Sequence, residues 1–390
     1  MAEQYKCENC GGTMVFDAAS QKLKCPNCDN EIEIIGDKDT VEIHNLGIDD
    51  MRTHKADKKD TTTLECTGCG AKIEIAGHET SATCPYCDST YVVAKEQQTT
   101  LNPDAVIPFK VDKNELGKKF ADWMKGKWLA PGELKNLYQR DQFAGFYIPY
   151  WTFDADADCK YTAMGGRDKQ VKYKDSDGTE RTRTETDWYH TSGRINKDFK
   201  DVKTPASERY RKGLFKGVEP YDFKGLVPYS ADYFSGYMSE NYTIDLNDGH
   251  KDAINQMESE LKSMAGADVR KRYDQVKDVR ISATFRNEKY KYLMLPVYAT
   301  TYAYKDKNYT VLINGQSGKI YGEYPKSPVK IIAIIVAIVA VIALLCSLGK
   351  AKNKKDTAMD MDSSSYVAYE TEEDTVSYEE IKFDDFSVRI

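Results

Sequence analysis

The chain has 390 residues, with 55 Lys and Arg against 62 Asp and Glu and a formal net charge of -7. Its length predicts two to three domains, and a hydrophobic fraction of 41% excludes a protein with many membrane spans. The last 40 residues hold 11 acidic and 5 basic side chains, so the other 350 sum to about -1. The chain therefore has no overall basic field of the kind that attracts nucleic acid.

The cysteines form a repeated metal-binding pattern. Cys-x2-Cys-x14-Cys-x2-Cys occurs twice, at an offset of 59 residues. Two residues between cysteines let a tight turn aim both thiolates at one tetrahedral ion, and two such turns supply four sulfur ligands. The pattern predicts two structural Zn²⁺ ions in two zinc ribbons (1–35 and 65–95) joined by a linker (36–64), with the ligands Cys7, Cys10, Cys25 and Cys28 in ribbon 1 and Cys66, Cys69, Cys84 and Cys87 in ribbon 2.

Disulfides and iron ligation are the alternatives for these cysteines. The N-terminus carries no apolar signal segment, which indicates a reducing cytosol and disfavours disulfides. Rubredoxin-type iron stays formally open. Because sulfur fills all four positions of each set, neither ion has room for a catalytic water. Gly11 follows the first cysteine pair. Asp29 follows the second, at a position where Gly is commoner, and Asp tolerates the left-handed backbone conformation better than most residues.

Residues 102–325 read as one mainly antiparallel α+β domain. Asp112 and Glu115 form a capping-box pattern before a helix, and a second helix begins near Asn247-Asp248. The buried stripes are expected at Leu116, Phe120, Trp123 and Met124 and at Ile254, Met257, Leu261 and Met264. Strands are expected at 145–153, 157–163, 278–286, 290–304, 308–314 and 318–324.

This domain contains signs of an internal duplication. Ile107-Pro108, a helix and the run 146–151 parallel Val227-Pro228, a helix and the run 293–298. The polar stretch 164–220 is expected to be a long hairpin or a mobile insertion.

Residues 329–348 include 18 successive uncharged residues, nearly all Ile, Val, Ala and Leu. A helix of that length spans about 27–30 Å, so we predict a transmembrane helix, with a buried core helix as the alternative. The acidic tail 351–390 is expected to be disordered. The lysines after the helix favour a cytosolic tail, but the zinc ligands and the missing signal segment weigh more and predict a cytosolic N-terminal portion at the cell inner membrane.

The other candidate sites are weaker. Asp154, Asp156 and Asp158 alternate on one strand face, where a divalent cation could bind, although a solvent-facing strand is the plainer interpretation. The five histidines show no partner spacing and are expected at the surface, and Cys159 is expected to pack as a small apolar side chain. The 27 tyrosines suggest a hydroxyl-rich core or a ligand groove. Since no nucleophile–base pair or nucleotide motif is found, we predict that the protein is not an enzyme.

The doubled ribbons and the segments 106–110, 146–157 and 314–319 together resemble bacterial membrane-anchored TFIIB-type zinc-ribbon proteins. Members are often labelled replication-restart helicases on the ribbons alone, and this chain has no motor motifs. The resemblance implies membrane scaffolds of the SPFH or phage-shock type as partners. We therefore expect a non-catalytic membrane-anchored adaptor for a protein partner. A membrane-associated nucleic-acid-binding protein and an uncharacterised enzyme of the α+β domain are the alternatives.

Overall fold

The protein is described from a computed structural model, which places residues 2–3, 5–35, 40–54, 61–65, 72–76, 79–83, 90–93, 101–136, 143–208, 213, 215–305 and 307–353. The chain divides into two compact units, Met1–Ser327 and Pro328–Ile390.

The described residues of the first unit form short strands, long strands and three α-helices. The helices are α1 (Ile48–Thr53), α2 (Lys113–Lys125) and α3 (Leu246–Arg270). The strands are β1 (Ala2–Glu3), β2 (Val15–Asp17), β3 (Lys22–Lys24), β4 (Glu31–Ile32), β5 (His44–Asn45), β6 (Thr61–Glu65), β7 (Lys72–Ala76), β8 (Glu79–Thr83), β9 (Thr90–Val93), β10 (Ala105–Val106), β11 (Ala144–Lys174), β12 (Glu180–Pro205), β13 (Val227–Pro228), β14 (Met238–Glu240), β15 (Gln275–Tyr304), β16 (Lys307–Asn314) and β17 (Ile320–Gly322).

Both predicted helices of the domain are confirmed. The Asp112 carboxylate caps α2 by accepting the N–H of Asn114 at 2.8 Å, which satisfies a donor that has no partner within the helix. Leu116, Phe120 and Met124 are buried as predicted, and Trp123 is half-buried. In α3 the buried face is made largely of small residues, Gly249, Ala253, Ala265 and Gly266, beside Leu246, Met257, Leu261 and Val269. The predicted Ile254 and Met264 are only half-buried.

Twelve of the described strands join one mixed, mainly antiparallel sheet, which confirms the α+β class. Its centre is the antiparallel pair β11–β15, in register from Ala144↔Ala299 to Gly166↔Gln275. The outer edge of β11 pairs in parallel with β14 and antiparallel with β12. The outer edge of β15 pairs in parallel with β10 and antiparallel with β16. β2–β3–β4 and β6–β7 form separate small sheets.

The stretch 164–220 contains the long hairpin that was predicted. The predicted strands 145–153 and 157–163 are one continuous strand of 31 residues, because Ala155 and Ala157 face the buried side while the aspartates between them face outward. Beyond Gly166 the pair β11–β12 continues alone to a turn at Asp175–Thr179, where Gly178 has φ +82°.

The tyrosines resolve into a core. Tyr147, Tyr161, Tyr290, Tyr292 and Tyr298 are at most 2% exposed. The rings of Tyr147, Tyr290, Tyr292 and Tyr298 contact other aromatic side chains, at distances such as 4.5 Å between Phe109 and Tyr298. The core interpretation of the tyrosines is therefore confirmed for these residues.

The second unit contains α4 (Pro328–Asn353). Its side chains are described as far as Ala343, and Val329, Ile332, Ile335, Val336, Ile338, Val339 and Ile342 are each more than half exposed. Within the described part of the chain, no helix is long and apolar enough to cross a membrane. The predicted transmembrane helix over 329–348 is thus not confirmed, and most of the tail (354–390) lies outside the described residues.

Candidate metal centre and its support

Two backbone turns of the same geometry carry the first four cysteines. The N–H of Cys7 donates to the carbonyl oxygen of Gly12 at 2.7 Å, and the N–H of Gly11 donates back to the Cys7 carbonyl at 2.8 Å. The second turn repeats both bonds, from Cys25 to Asn30 and from Asp29 to Cys25, each at 2.9 Å. Gly11 and Asp29 both have positive φ, +72° and +57°. The left-handed position predicted at Asp29 is therefore confirmed, and Gly11 adopts the same conformation.

These turns bring four thiols together. The sulfur atoms of Cys7, Cys10, Cys25 and Cys28 all lie within 4.8 Å of one another. The Cys7–Cys28 and Cys10–Cys25 sulfurs are 3.6 and 3.5 Å apart, far beyond a disulfide bond of about 2.05 Å. Four ligands on one tetrahedral ion at about 2.3 Å would be separated by about 3.8 Å. The cluster is therefore a possible metal site.

The electrostatics of the cluster oppose four simultaneous thiolates. Burial raises the pKa of the Cys7 thiol, but the backbone N–H groups of Cys10 and Asn9 outweigh burial and lower that pKa to about 6. The backbone N–H of Gly12 lowers the pKa of Cys10, but the neighbouring thiols of Cys28 and Cys25 raise it to about 12. Neighbouring negative charges disfavour one another, so a cation is what would allow all four sulfurs to ionise.

Ribbon 1 is docked on the α+β domain, which the sequence analysis did not foresee. The Phe16 ring lies 5.3 Å from Tyr233 and 6.2 Å from Tyr237, and Phe16 is 3% exposed. The Phe16 N–H donates to the carbonyl of Ser235, whose hydroxyl donates to the carbonyl of Met14 at 2.7 Å. The sequence signal that could have indicated this docking was the alternation of Met14 and Phe16 in an otherwise polar hairpin.

The segments that carry the family resemblance meet beneath this ribbon. Phe109 stacks on Tyr237 at 4.1 Å and contacts Tyr147 at 5.0 Å. Its carbonyl accepts the side-chain amide of Gln21 in ribbon 1 at 2.8 Å. The carbonyl of Gly315 accepts the N–H groups of Lys110 and Val111, each at 2.9 Å.

The turn at Asn314 is a structural joint. The Asn314 side chain is fully buried, and its amide nitrogen donates to the carbonyls of Val218 and Pro220. Its oxygen accepts the N–H groups of Gln316 and Ser317, which closes the turn locally. Segments 146–157 and 314–319 therefore contact segment 106–110, whose Phe109 carbonyl is bonded to ribbon 1.

Two of the three lysines of ribbon 1 pair with its carboxylates. Lys22 lies 2.7 Å from Glu33 and 3.8 Å from Glu31, and Lys24 lies 3.1 Å from Asp29. Phosphate contact depends on cations that can displace counterions, so this pairing disfavours a nucleic-acid surface on ribbon 1.

Three of the five histidines are half-buried: His44 and His54, where the linker packs on the domain, and His250 of α3. His44 Nε2 lies 2.7 Å from the buried carboxylate of Asp104, and its ring stacks on Tyr290 at 5.1 Å. His250 lies 2.6 Å from Glu288. Burial lowers the pKa of the third, His54. His190 is exposed as predicted, and His78 lies outside the described residues.

Glu42, His44 and Asp104 form a second group whose ligand atoms lie within 4.8 Å of one another. Burial raises the pKa of Asp104, while the N–H of Tyr292 and His44 oppose that effect. The carboxylate already accepts the Tyr292 N–H at 2.7 Å as well as His44. The group therefore acts as a clip that fixes β5 beside β15.

Each of the three alternating aspartates has its own partner. Asp154 accepts the N–H of Asp201 at 2.8 Å, and Asp156 accepts the amide of Asn287 at 2.7 Å. Asp158 pairs with both nitrogens of the Arg194 fork, which lowers the pKa of the aspartate. The solvent-facing interpretation fits this arrangement better than a shared cation.

The remaining predicted site residues divide into described and undescribed positions. Cys66, Cys69, Cys84 and Cys87 of ribbon 2, and the side chain of Cys346, lie outside the described residues. The strand between the two predicted cysteine pairs of ribbon 2, β8, pairs with β14 at Ser81↔Ser239. Cys159 is fully buried, and burial raises the pKa of its thiol, as expected for a packing residue.

Comparisons with known proteins give similarity without an assigned activity. No family model matches the sequence, and no solved structure matches it. A curated relative is the uncharacterised protein YdjG of Bacillus subtilis (strain 168), which is 28% identical over 339 residues. That alignment covers 85% of this chain and 92% of YdjG.

Proposed function

We propose that the protein is a non-catalytic adaptor that is held at the cytosolic face of a membrane and presents a zinc-stiffened domain to a protein partner. The observation that carries the proposal is α4, whose apolar side chains are exposed around its circumference. A helix that is apolar on every face requires an apolar environment, such as a bilayer.

Zinc is the metal that the donor set favours. Four thiolates on two tight turns match a tetrahedral structural site with no open position. Because Phe16 and Met14 of the same ribbon are buried against the α+β domain, the ion would also hold a surface of that domain together. Metal binding and local folding are then coupled.

The hairpin beyond Gly166 is the surface proposed for the partner. It projects past the last β15 pair, and its cations are paired with carboxylates of the same hairpin, as in Lys169–Asp187 and Arg183–Glu185. Tyr173 is exposed on it, and Tyr189 is exposed at its base, opposite Gly165. Exposed aromatic rings between balanced charges favour a protein partner over a phosphate backbone, and the family resemblance suggests an SPFH or phage-shock scaffold.

Membrane attachment is tested by fractionation of full-length variants. Ile335→Asp combined with Ile338→Asp is expected to move the protein from the membrane pellet to the soluble fraction, because a charge in hydrocarbon costs about 2.5–3.5 kcal/mol. The matched control is Ile335→Leu with Ile338→Leu. A double-Asp variant that stays in the pellet at high salt would contradict anchoring by α4.

The partner is tested by a nuclease-treated pull-down from detergent-solubilised membranes. A stoichiometric protein that is lost with Tyr173→Ala and Tyr189→Ala, but retained with Thr182→Ala, would support the adaptor. Partners that disappear with nuclease would instead favour the nucleic-acid alternative.

The metal is tested on purified full-length protein. Elemental analysis is expected to lose one zinc in Cys25→Ser, with faster hydrogen exchange at Met14–Asp17 and at residues 233–237. Iron in place of zinc would favour the rubredoxin-type alternative.

A further inference from the structure

The residues that lead into α4 are tied to the loop after α2. The N–H of Ser327 donates to the carbonyl oxygen of Leu129 at 2.8 Å, and Pro328 then begins α4. Trp128, beside Leu129, is 63% exposed. An exposed Trp is therefore adjacent in the chain to the residue that bonds Ser327, the last residue of the first unit.

Lysines lie close to this point in the chain. Lys127 Nζ lies 4.8 Å from the Trp123 ring and 5.4 Å from the Tyr324 ring. Lys125 is exposed three residues before Trp128, Lys326 is exposed directly before Ser327, and Lys305 and Lys307 lie at the turn between β15 and β16. We call Lys125, Lys127, Trp128, Lys305, Lys307 and Lys326 the lysine–tryptophan end. Contacts of Tyr302 link its parts, because that ring packs on Phe120 of α2 and its hydroxyl donates to the Glu323 carbonyl.

The turn of this end has an unusual residue. Lys305 has φ +54°, in a two-residue hairpin loop where Asn or Gly is the usual choice. A side chain with a Cβ disfavours this backbone conformation. The sequence thus keeps a cation at the hairpin tip at some cost in backbone energy.

The charge of this end differs from that of the whole chain. Its five lysines stand against Asp122, Glu133 and Glu323, one of which pairs with Lys125 at 3.2 Å, and against Asp306, which lies between Lys305 and Lys307 in the sequence. These groups sum to +1 in a protein of formal charge -7. A local positive charge beside an exposed Trp is complementary to an anionic lipid surface.

We infer that the lysine–tryptophan end rests on the headgroup layer of a bilayer that contains anionic lipids. Trp is enriched at the membrane–water interface because its ring is apolar and its N–H is polar, and lysine extends its charge toward headgroup phosphates. The inference rests on the proposed function, since α4 has to bring this end to the membrane. It adds that the first unit is held in one orientation by a specific surface.

The chain offers a matched Trp elsewhere. Trp188 is paired with Gly166, 22 residues along β11 from Ala144, which is about 70 Å of strand. It also carries a lysine, with Lys277 Nζ 3.8 Å from its ring centre. Trp188 therefore shares the chemistry of Trp128 but lies far from the start of α4 along the sheet.

The experiment uses full-length protein in vesicles of phosphatidylcholine and phosphatidylglycerol, with bromine on the phosphatidylglycerol acyl chains near the headgroup. Bromine quenches Trp fluorescence at short range. The wild type and Trp188→Phe are expected to lose the same amount of fluorescence per molecule to bromine quenching. In Trp128→Phe most of this quenching is expected to be absent. Lys125→Gln, Lys305→Gln and Lys326→Gln together are expected to reduce quenching, and Lys169→Gln, Lys172→Gln and Lys174→Gln are the charge-matched control.

Two failures can be told apart. Protein that does not float with the vesicles contradicts the proposed anchoring itself. Protein that floats, but whose quenching is unchanged by Trp128→Phe and by the three lysine substitutions, overturns the headgroup contact and leaves the anchoring in place.

Discussion

Two halves of the α+β domain follow one plan with different lengths. The first half runs through β10, α2, β11 and β12, and the second through β14, α3, β15 and β16. In each, a short strand lies parallel to the long strand of the other half, at Ala105↔Leu293 and at Met238↔Phe146. These registers align the sequence 146–151 with 293–298.

The hydrogen bonds of the two halves correspond as well. Trp151 Nε1 donates to the carbonyl of Ile244 at 3.0 Å, and the Tyr298 hydroxyl donates to that of Val111 at 2.9 Å. Both acceptors immediately precede an Asp at the helix N-cap. The carbonyls of Pro149 and Pro296 each accept an N–H from just past the returning strand.

The difference lies in what each helix must cover. Four residues after the N-cap, α2 has Leu116 and α3 has Gly249. Four residues further on, Phe120 of α2 corresponds to Ala253 of α3. A Cβ on Gly249 would lie 2.6 Å from Trp151 Cδ1. Small residues let α3 approach the sheet closely, and its 25 residues follow the strands that continue past the core. The same plan thus yields a compact half and an extended one.

The strongest way to break this correspondence is to remove its aromatic anchors. Trp151→Ala is expected to lower the free energy of unfolding by about 3–5 kcal/mol, and Tyr298→Ala by a similar amount, because both side chains are fully buried. Denaturant unfolding measures both. A cost for Tyr298→Ala below about 1 kcal/mol would show that the positions are not equivalent.

Exchanging the helix residues should fail in both directions. Leu116→Ala is expected to cost about 2–5 kcal/mol through a cavity, and Gly249→Leu at least about 2 kcal/mol through overpacking on Trp151. The overpacking cost should fall when Trp151→Phe is present. Additive costs in that double variant would contradict direct contact.

A smaller change sharpens the comparison of hydrogen bonds. Tyr298→Phe leaves the Val111 carbonyl without this donor and is expected to cost about 1 kcal/mol. Tyr302→Phe, whose hydroxyl bond to Glu323 is exposed, is the matched control. Equal losses in the free energy of unfolding for the two variants would show that the buried hydrogen bond stabilises the fold no more than the exposed one.

The smallest expected effect is on the pH dependence of stability. It concerns the second half, because the Leu246 N–H at the start of α3 donates to the His54 carbonyl. Burial lowers the pKa of His54 in the folded state. The unfolded chain therefore binds the proton first, and stability is lost as the pH falls below about 6.5. Hydrogen exchange of α1 should rise in that range, and His54→Gln should remove this pH dependence.

The sequence predicted the elements whose signals are local. Asp112 and the stripe of α2 determine a helix within a few residues, and the cysteine spacing determines its two turns. The start of the second half was misplaced, because Val227-Pro228 repeats the letters of Ile107-Pro108. That segment instead pairs with β10, and the true counterpart begins at Met238. The sequence similarity that marks the true correspondence is short: Val111-Asp112-Lys113-Asn114 is equivalent to Ile244-Asp245-Leu246-Asn247.

Contacts between distant segments could not be predicted. Phe16 finds Tyr237 across more than 200 residues, and His44 finds Asp104 across 60. A single polar linker or a lone histidine carries no record of such a partner. The partial burial of His44 and the docking of ribbon 1 were therefore missed for the same reason.

The unaccompanied part of the β11–β12 hairpin has a consequence for how this protein can diversify. Side chains in a strand alternate between faces every residue, so adding or removing two residues on each strand between Gly166 and the turn at Asp175 preserves every face and every pairing nearer the core. Adding or removing one residue on each strand would instead move the following side chains to the opposite face of the hairpin. Length variation in related chains should accumulate here in steps of four residues in total, and the reach of the hairpin can be adjusted without rebuilding the domain that carries it.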